Sequence, residues 1–459
     1  MAAEEDYSTQ IEPKILEKYK IMKCLGKGSY GIVWKGKHKL TGEIMAIKKN
    51  FDAFRNKTDA QRTYREITIL RELQNHPNIV KLHNVIQAKE NKDIYLIFDC
   101  MDTDLHAVIK KGNILLDVHK RYILYQILKA TKYIHSGNVI HRDLKPSNIL
   151  LDSQCSVKLC DFGLARSLGK IEDEHCDLTQ YVVTRWYRAP EIFLGYQYTK
   201  CVDMWSVGCI LGEMLLGKAL FPGTSCIHQM ELILRIIGEP SKQNMDEIDN
   251  VYRRVLIVKP RDRSSLEELL PDAPPDALDL MGKLLVFNPE QRLTAEEALC
   301  HPYISGFHEV NEPVLDHNVV LPVNDDTQLS VHEYRKLLDE LTRQLRQRSI
   351  REHLMTGCNS ASKILQQESS PLPCNMDLNQ RLITRISNPI THAITYIGAG
   401  ASLKEKDSLL GKHHDKEPFG AASSSKVADR KAGHHEEGNQ APVANDEHPK
   451  QPIKESLKK

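Results

Sequence analysis

The spacing of the apolar residues changes near residue 102, and this change limits the folds that the chain can adopt. Short apolar runs, such as residues 44–47 and 94–98, dominate residues 19–101 and are typical of strands in a sheet. From residue 102 to residue 303 the apolar residues instead recur at helical spacing. We therefore expect an α+β architecture, with a small β-rich lobe followed by a larger α-helical lobe.

Helical patterns place individual helices within this outline. Ile67, Leu70 and Leu73 predict one helix inside the β-rich part, directly behind the charged residues 62–66. In the second part, residues 204–216 are almost continuously apolar and predict a buried helix.

Composition changes again near residue 350, where His, Lys, Ser, Gly and Pro become frequent and aromatic residues become rare. A segment of this kind buries too little apolar surface to offset the entropy lost on folding, so we expect a mostly disordered tail. The predicted organisation is an N-terminal extension at 1–18, a two-lobed domain at 19–304 divided after residue 101, a C-terminal extension at 305–349, and the tail at 350–459.

The overall composition narrows the class of protein. Apolar residues make up 41% and charged residues 27% of the 459 residues, as in ordinary soluble globular proteins. The formal net charge of +1 argues against nonspecific binding of nucleic acid, and no run approaches the roughly 18 apolar residues of a membrane span. The 11 cysteines are scattered without a CxxC pair, and the first residues lack an apolar signal region. We expect reduced thiols and a cytoplasmic or nuclear location.

Two short motifs supply the residue types that a phosphoryl transfer needs, namely HRDLKPSN at residues 141–148 and DFG at residues 161–163. Asp143 can accept the proton of an attacking hydroxyl, and Lys145 can neutralise charge on the moving phosphoryl group. Asn148 and Asp161 offer the oxygen ligands that Mg²⁺ prefers. Either motif alone is weak because short strings recur by chance, but their combination in this order is a strong signal.

A glycine-rich segment, GKGSYG at residues 26–31, precedes a strand-like run and could hold phosphates through its backbone amides. A plain hairpin turn explains these glycines equally well. Lys48, at the end of the next apolar strand, could likewise be a solvated edge residue, but Glu66 on the predicted helix can pair with it. Lys48 would then hold the α- and β-phosphates of ATP. The candidate ATP-binding residues in this part are Leu25, Gly26, Lys27, Gly28, Ser29, Tyr30, Gly31, Val33, Ala46 and Lys48.

Apolar residues after the strand at 94–98 would contact the adenine. Phe98 is the bulky candidate at the back of the pocket, and Asp99 and Met101 belong to the candidate hinge at residues 99–101. A buried strand without any ligand accounts for this run as well.

Together these motifs resemble those of the eukaryotic protein kinases, over residues 19–303. The resemblance implies that Glu191, in the APE motif at 189–191, pairs with Arg292. It also implies that Asp203 accepts hydrogen bonds from the backbone of the catalytic loop. Leu70, Leu82, His141 and Phe162 match the stacked spine of active family members, and a structural interpretation makes the same four residues part of the core.

Residues 179–188, TQYVVTRWYR, resemble the Thr-x-Tyr activation segment of the mitogen-activated protein kinases. The resemblance implies phosphorylation of Thr179 and Tyr181, each phosphate adding nearly two negative charges. Gln180 replaces the commoner Glu, Pro or Gly and leaves the upstream kinase open. The implied clamp for phosphothreonine is Arg65, Arg142 and Arg166, and the implied pair for phosphotyrosine is Arg185 and Arg188, although each arginine singly could be a solvated charge.

The C-terminal extension is similar to the segment that returns to the small lobe in this group, with a helix expected at residues 333–345. Glu309 and Glu312 match an acidic patch that docks basic peptides, but two exposed glutamates can also be merely solvated. Phe98, residues 102–109 and the long tail resemble the atypical, auto-activating branch of the group.

The resemblance implies an ATP- and Mg²⁺-dependent serine/threonine kinase that is monomeric and acts on protein Ser or Thr followed by Pro. A cyclin-dependent kinase is the main rival among enzymes, and the Thr179–Tyr181 pair and residues 64–67 count against it. A pseudokinase scaffold is the rival from another class, and intact Lys48, Asp143, Asn148 and Asp161 count against that.

Overall fold

A computed structural model of the chain describes residues 11–28, 31–90, 92–112, 114–168, 185–194, 198–238, 262–307, 312–324 and 327–363, with side chains up to residue 347. These residues belong to one compact unit, Met1–Ala401.

The small lobe is built on an antiparallel sheet with the strand order β1-β2-β3-β5-β4. Its strands are β1 (Tyr19–Gly28), β2 (Gly31–His38), β3 (Ile44–Asn50), β4 (Leu82–Gln87) and β5 (Ile94–Asp99). The apolar runs at 44–47 and 94–98 are therefore strands, as predicted. In the register of the sheet, Val33 lies opposite Lys48 and Ala46 lies opposite Phe98, which gathers four candidate site residues on neighbouring strands.

Helix α1 (Pro13–Lys18) covers the outer face of this sheet. Ile11 and Ile15 are buried with Trp34, Tyr95 and Ile97 in a small apolar cluster of their own. The backbone N–H of Glu12 also donates to the Tyr95 hydroxyl over 3.1 Å. The described part of the N-terminal extension, residues 11–18, is thus packed onto the sheet, because the alternating strands leave apolar side chains on both faces.

Helix α2 (Lys57–Leu73) is the helix predicted inside the small lobe. Asn56 caps it by accepting a hydrogen bond from the Asp59 backbone N–H. Ile67, Leu70 and Leu73 are fully buried, as their spacing predicted. The helix thereby fixes the position of its polar residues, which include Glu66.

The large lobe is mainly helical, and its core extends from the sheet interface through helix α6 (Cys201–Leu216), whose residues 202–214 are all buried. The predicted buried helix at 204–216 is therefore confirmed. The expected division into a β-rich small lobe and an α-helical large lobe is confirmed as well. Within its described residues, the large lobe contains the helices α3 (Leu105–Lys111), α4 (Asp117–Ser136), α5 (Pro190–Phe193), α6 (Cys201–Leu216), α7 (Cys226–Ile237), α8 (Leu266–Leu269), α9 (Pro275–Leu284) and α10 (Ala295–Leu299).

Short strands at the front of the large lobe fix its loops. They are β6 (Thr103–Asp104), β7 (Val139–Ile140), β8 (Ile149–Leu151), β9 (Val157–Leu159) and β10 (Arg166–Ser167). They form a three-stranded sheet with the order β6-β8-β9 and a two-stranded sheet of β7 and β10. Single turns of 3₁₀ helix lie at Pro146–Asn148 and Phe162–Leu164. The motifs at 141–148 and 161–163 are consequently held between paired strands.

The C-terminal extension runs along the large lobe before it reaches the small lobe. The backbone N–H of Leu315 donates to Ser136 Oγ at the end of α4, and that of Val319 donates to the Gly137 carbonyl. Helix α11 (Val331–Lys363) then packs against α2 and β4. Tyr334 contacts Tyr64 with ring centroids 5.8 Å apart.

Helix α11 is much longer than the helix expected at 333–345 and passes the boundary set at residue 350. Ser330 and Glu333 form a capping box at its start. Beyond residue 345 the apolar spacing fades, but Arg, Gln, Glu, Leu and Met continue, and these residues favour helix even without packing. Residues 364–459, the rest of the predicted tail, lie outside the described residues. Among the helices of the described ranges, none combines the length and apolar character of a membrane span.

Candidate active site

The catalytic loop between β7 and β8 holds Asp143 in a nearly buried position, 7% exposed. Lys145 Nζ donates to Asp143 Oδ2 over 2.7 Å. Asn148 Nδ2 donates to the same oxygen over 3.1 Å and to the Asp143 carbonyl over 2.9 Å. Burial raises the pKa of Asp143, and the charge of Lys145 opposes this rise. The carboxylate is therefore fixed in orientation by two neighbours in its own loop.

Asp203, on α6, anchors the catalytic loop. Its two carboxylate oxygens accept the backbone N–H groups of His141 and Arg142, each over 2.9 Å, as the resemblance implied. Arg142 has a φ of 67°, which is unfavourable for a residue with a side chain. The buried carboxylate therefore stabilises a strained backbone next to Asp143.

His135, at the end of α4, completes this support and was missed from the sequence. Its Nε2 lies 2.9 Å from Asp203 Oδ2. Burial would raise the pKa of Asp203, but His135 and the backbone donors outweigh burial and lower it. In the sequence His135 was one more residue of a helical pattern, and no motif marked it.

Asp161 begins the DFG turn in a left-handed conformation, with φ 63° and ψ 67°. Arg62 Nη2 on α2 lies 3.5 Å from its Oδ1. Burial would raise the pKa of Asp161, but the charges of Lys48 and Arg62 outweigh burial and lower it. Asp161 therefore stays ionised at neutral pH. Arg62 is a second residue that the sequence did not predict, because nothing distinguished it among the charged residues 62–66.

Lys48 on β3 and Glu66 on α2 form the ion pair that the sequence suggested, with 2.8 Å between Nζ and Oε1. Burial would lower the pKa of Lys48, but Glu66 and Asp161 outweigh it and raise the pKa. The pair ties α2 to the sheet and aims a permanent positive charge at the cleft beside Asp161.

The glycines of the segment at 26–31 are not equivalent. A Cβ on Gly31 would lie 1.9 Å from the Lys49 carbonyl oxygen, so the pairing of β2 with β3 requires glycine there. A Cβ on Gly26 or Gly28 would meet nothing within 4 Å. Packing against the residues that the structure describes therefore does not explain these two glycines, whereas close approach of a phosphate would. Ser29 and Tyr30 lie outside the described residues.

The candidate adenine-binding residues lie on β1, β2, β3 and β5 and directly after β5. Phe98 is 7% exposed and Met101 is 8% exposed, whereas Leu25 is 37% exposed at the edge. The Asp99 carboxylate is engaged by His83 over 2.6 Å and by Lys158 over 3.0 Å, and these partners lower its pKa to about 2 against the effect of burial. Because its carboxylate is already engaged, Asp99 can contact a nucleotide only through its backbone. The candidates Lys27, Val33 and Ala46 lie on β1, β2 and β3 respectively.

Two further expectations concern the core around the site. Glu191 accepts both forks of the Arg292 guanidinium, over 2.6 and 2.7 Å, in the predicted buried ion pair. The rings of His141 and Phe162 lie 4.7 Å apart, and Leu70 and Leu82 belong to the same buried region.

The arginines of the candidate phosphate clamp are distributed over α2, the catalytic loop, β10 and the residues that begin at 185. Arg65 Nη1 donates to the Gly163 carbonyl over 3.1 Å, and Arg166 on β10 pairs with Ile140, two residues before Arg142. The Arg142 guanidinium stacks 3.9 Å from the Tyr198 ring. Arg185 donates to the Thr224 carbonyl, while Arg188 lines a cavity with Arg142 and Asp143. Thr179 and Tyr181 lie outside the described residues.

The expectation of an exposed acidic docking patch is wrong for Glu312. Its side chain is 2% exposed, accepts the Tyr125 hydroxyl over 2.6 Å and lies 3.2 Å from Lys129 Nζ. A glutamate already paired in the interior cannot also attract a basic peptide. Glu309, the other predicted docking residue, lies outside the described residues.

The candidate metal ligands suit a hard cation. Asn148 uses its Nδ2 on Asp143, which leaves Oδ1 as its ligand atom, and Asp161 supplies an ionised carboxylate. Mg²⁺ commonly takes one or two such protein oxygens together with substrate phosphates. Within the described residues no group of three or more His, Cys, Asp or Glu side chains forms an all-protein metal site.

Comparison with known proteins agrees with this geometry. Residues 19–304 match the protein kinase domain family. Mitogen-activated protein kinase 15 of Xenopus laevis is 58% identical over 378 residues, covering 79% of this chain and 64% of that protein. Mitogen-activated protein kinase 15 of Caenorhabditis elegans is 51% identical over 340 residues, 72% of each chain. Extracellular signal-regulated kinase 2 of Dictyostelium discoideum is 51% identical over 338 residues, 72% of this chain and 91% of that one.

The match spans less than two thirds of the vertebrate relatives, 64% of the Xenopus laevis protein and 62% of the Mus musculus protein. The match to the protein kinase domain family, over residues 19–304, includes the whole catalytic arrangement described above. The chain therefore belongs to the protein kinase family and, within it, to the mitogen-activated protein kinases.

Proposed function

We propose that the chain transfers the γ-phosphoryl group of ATP to Ser or Thr hydroxyls of proteins, with Mg²⁺ as cofactor. The observation that carries the proposal is one electrostatic cluster in the cleft. The charge of Asp161 acts on the pKa values of both Lys48 and Asp143, and the charge of Lys145 acts on the pKa values of both Asp143 and Asp161. Lys48 is also held by Glu66. Positioning and charge stabilisation are what this reaction requires of a protein.

Each residue has a distinct task in this mechanism. Asp143 orients the attacking hydroxyl and accepts its proton, while Lys145 balances charge on the transferred group. Lys48 binds the α- and β-phosphates. Asn148 and Asp161 would hold Mg²⁺, which neutralises charge on the phosphate oxygens when bound. Asp203 and His135 keep the catalytic loop in place through the backbone bonds described above.

The activation segment supports regulation by phosphate. Arg65 lies on α2, Arg142 precedes Asp143, and Arg166 follows the DFG turn, so one phosphate on Thr179 could join all three. Arg185 and Arg188 would receive a phosphate on Tyr181 and shape a shallow pocket for a Pro after the target residue. We further propose that the chain phosphorylates both positions itself, that it acts as a monomer, and that it works in the cytoplasm or nucleus.

The proposal is tested with two isosteric variants of the full chain. Asp143→Asn should abolish Mg²⁺-dependent phosphorylation of a Ser-Pro peptide while leaving the melting temperature unchanged. Asp272→Asn, on an exposed carboxylate, should leave activity unchanged. Near-normal turnover by folded Asp143→Asn would refute the assigned chemistry.

Mass spectrometry of bacterially produced protein separates catalysis from self-activation. Wild type should carry phosphate on Thr179 and Tyr181, and the Asp143→Ala variant should carry none. Unphosphorylated wild type that an added kinase activates would contradict self-activation and leave the kinase assignment intact. A positional peptide library without preference for Pro after the acceptor would contradict the specificity.

A further inference from the structure

A second polar cavity lies on the small lobe, where α1, β4 and α11 meet. It has a volume of about 400 Å³ and is lined by Lys14, Gln87, Asp339, Thr342, Arg343 and Arg346. None of these residues belongs to the candidate active site. The cavity therefore calls for a separate explanation.

The helical repeat of α11 builds one wall of this cavity. Asp339, Thr342, Arg343 and Arg346 follow the spacing i, i+3, i+4 and i+7 and so share one face of the helix. The adjoining face, with Leu338, Leu341 and Leu345, is buried against the small lobe. Gln87 Nε2 donates to Asp339 Oδ1 over 2.8 Å and joins the helix to β4. The cavity is thus held by fixed elements.

The lining is positively charged. It contains three cations, Lys14, Arg343 and Arg346, and one carboxylate, Asp339. Arg343 contacts Glu340 on its own helix. In the part of the chain that the structure describes, Lys14 and Arg346 form no ion pair, although both are exposed and border the same space. Mutually repelling charges without partners favour the binding of an anion.

Thr342 provides an independent indication of a ligand. The residue lines the cavity and is 7% exposed, but its buried Oγ1 has no hydrogen-bond partner among the described residues. A threonine inside a helix commonly bonds the carbonyl four residues earlier, and this one does not. A buried hydroxyl without a partner is unfavourable, so a ligand that accepts its hydrogen would stabilise the site.

We infer that this cavity binds the phosphate group of a phosphorylated peptide. Arginine guanidinium groups match phosphate oxygens through charge-assisted pairs, and Lys14 adds a third positive charge. The negative charge of Asp339 disfavours the binding of a dense free polyanion, but the Asp339 carboxylate can accept a hydrogen bond from a peptide N–H. The volume also exceeds what a lone phosphate ion fills. The inference is independent of the proposed catalysis, because it concerns binding at residues outside the cleft.

Binding to the full chain is measured by fluorescence anisotropy, with a labelled Ala-Gly-phosphoserine-Gly-Ala peptide and its unphosphorylated counterpart. The phosphorylated peptide should bind, and inorganic phosphate should compete weakly. Arg346→Gln should weaken binding on the order of tenfold, since a charge-assisted hydrogen bond is lost. Thr342→Val should weaken it less. Lys336→Gln, an exposed cation of α11 outside the cavity, should leave the affinity unchanged.

Three results would overturn the inference. Equal affinities for the phosphorylated and the unphosphorylated peptide would show that the phosphate group does not contribute to binding. Unchanged binding by Arg346→Gln, with its melting temperature preserved, would move the site elsewhere, for example to the arginines around the activation segment. Binding to vesicles of anionic phospholipid without binding to the peptide would make the ligand a membrane surface instead.

Discussion

Charged residues in the candidate active site are held by specific partners at short range. Lys48 is fixed by Glu66, Asp143 by Lys145, and the backbone before Asp143 by Asp203. Buried charges persist only where such partners offset the loss of hydration. The arrangement is therefore organised before any substrate arrives, which is the condition for strong electrostatic stabilisation of a transition state.

We expect Gly31 to matter for folding and Gly28 to matter for the binding of ATP. Gly31→Ala should destabilise the small lobe by about 1–3 kcal/mol, because its Cβ would overlap the Lys49 carbonyl. Gly28→Ala should leave stability unchanged and raise the KM for ATP several-fold, because its Cβ projects into open space. Urea unfolding and steady-state kinetics distinguish the two. A normal KM for ATP in Gly28→Ala would contradict the phosphate-binding role.

His76 should make folding stability depend on pH. Burial, followed by the charges of Lys129 and Lys158, lowers its pKa from 6.5 to about 3. Between these values the unfolded chain binds a proton that the folded chain does not, so stability falls as pH falls below about 6.5. The contribution between pH 7 and pH 5 is about 2 kcal/mol.

The matched variant is His76→Asn, which removes the titrating ring and keeps an acceptor for the Asn78 backbone N–H. Urea unfolding at pH 7 and pH 5 should show a smaller loss for the variant than for wild type. Identical losses of stability in the variant and wild type would exclude His76 as the source of the pH dependence.

Among the elements, α2 joins the candidate active site to the C-terminal extension. Its inner residues reach the site through Glu66, Arg62 and Arg65, while its other side packs against α11. A shift of α2 would move all three side chains at once. The position of this helix therefore depends on the C-terminal extension as well as on the sheet.

Leu338→Ala in α11 tests this dependence. Leu338 is fully buried, so the truncation should cost about 2–5 kcal/mol and should also lower kcat/KM by loosening α2. Lys336→Ala, exposed on the same helix, should change neither quantity. Thermal unfolding and steady-state kinetics provide the measurements. Loss of stability with full activity below the melting temperature would indicate that α11 does not position α2.

At the scale of the whole molecule, direct contacts join the small lobe to the large lobe. Arg65 of the small lobe donates to Gly163 of the large lobe, and Ile79 forms a bridge with Leu159. The C-terminal extension adds a second connection, from the end of α4 to α2 and β4. A phosphate placed among Arg65, Arg142 and Arg166 would strengthen the first of these connections.

Thr179→Ala should therefore lower kcat/KM at least about tenfold, because the charge-assisted bonds joining α2 to the catalytic loop cannot form. Its melting temperature should stay close to that of the unphosphorylated wild type. Tyr181→Phe should act mainly through a higher KM for the peptide. Phosphopeptide mapping and steady-state kinetics are the measurements, and full activity of Thr179→Ala would contradict the clamp.

The sequence by itself determined the features that depend on local spacing. Strands β3 and β5, helix α2 and the buried helix α6 follow from the period of their apolar residues. The motifs at 141–148 and 161–163 likewise made Asp143, Asn148 and Asp161 candidates, and the two that share a loop, Asp143 and Asn148, are neighbours in the fold. The resemblance to protein kinases added the distant pair Glu191–Arg292.

Only the tertiary structure decided contacts between residues far apart in the chain that no motif connects. His135 supports Asp203 across 68 residues, Arg62 reaches Asp161, and Glu312 is buried against Tyr125 where an exposed charge was expected. The cavity formed by Lys14, Gln87 and α11 likewise joins three separate segments. Local spacing sets which face of an element is apolar, but packing decides which polar side chains meet, and long-range charge pairs depend on that packing.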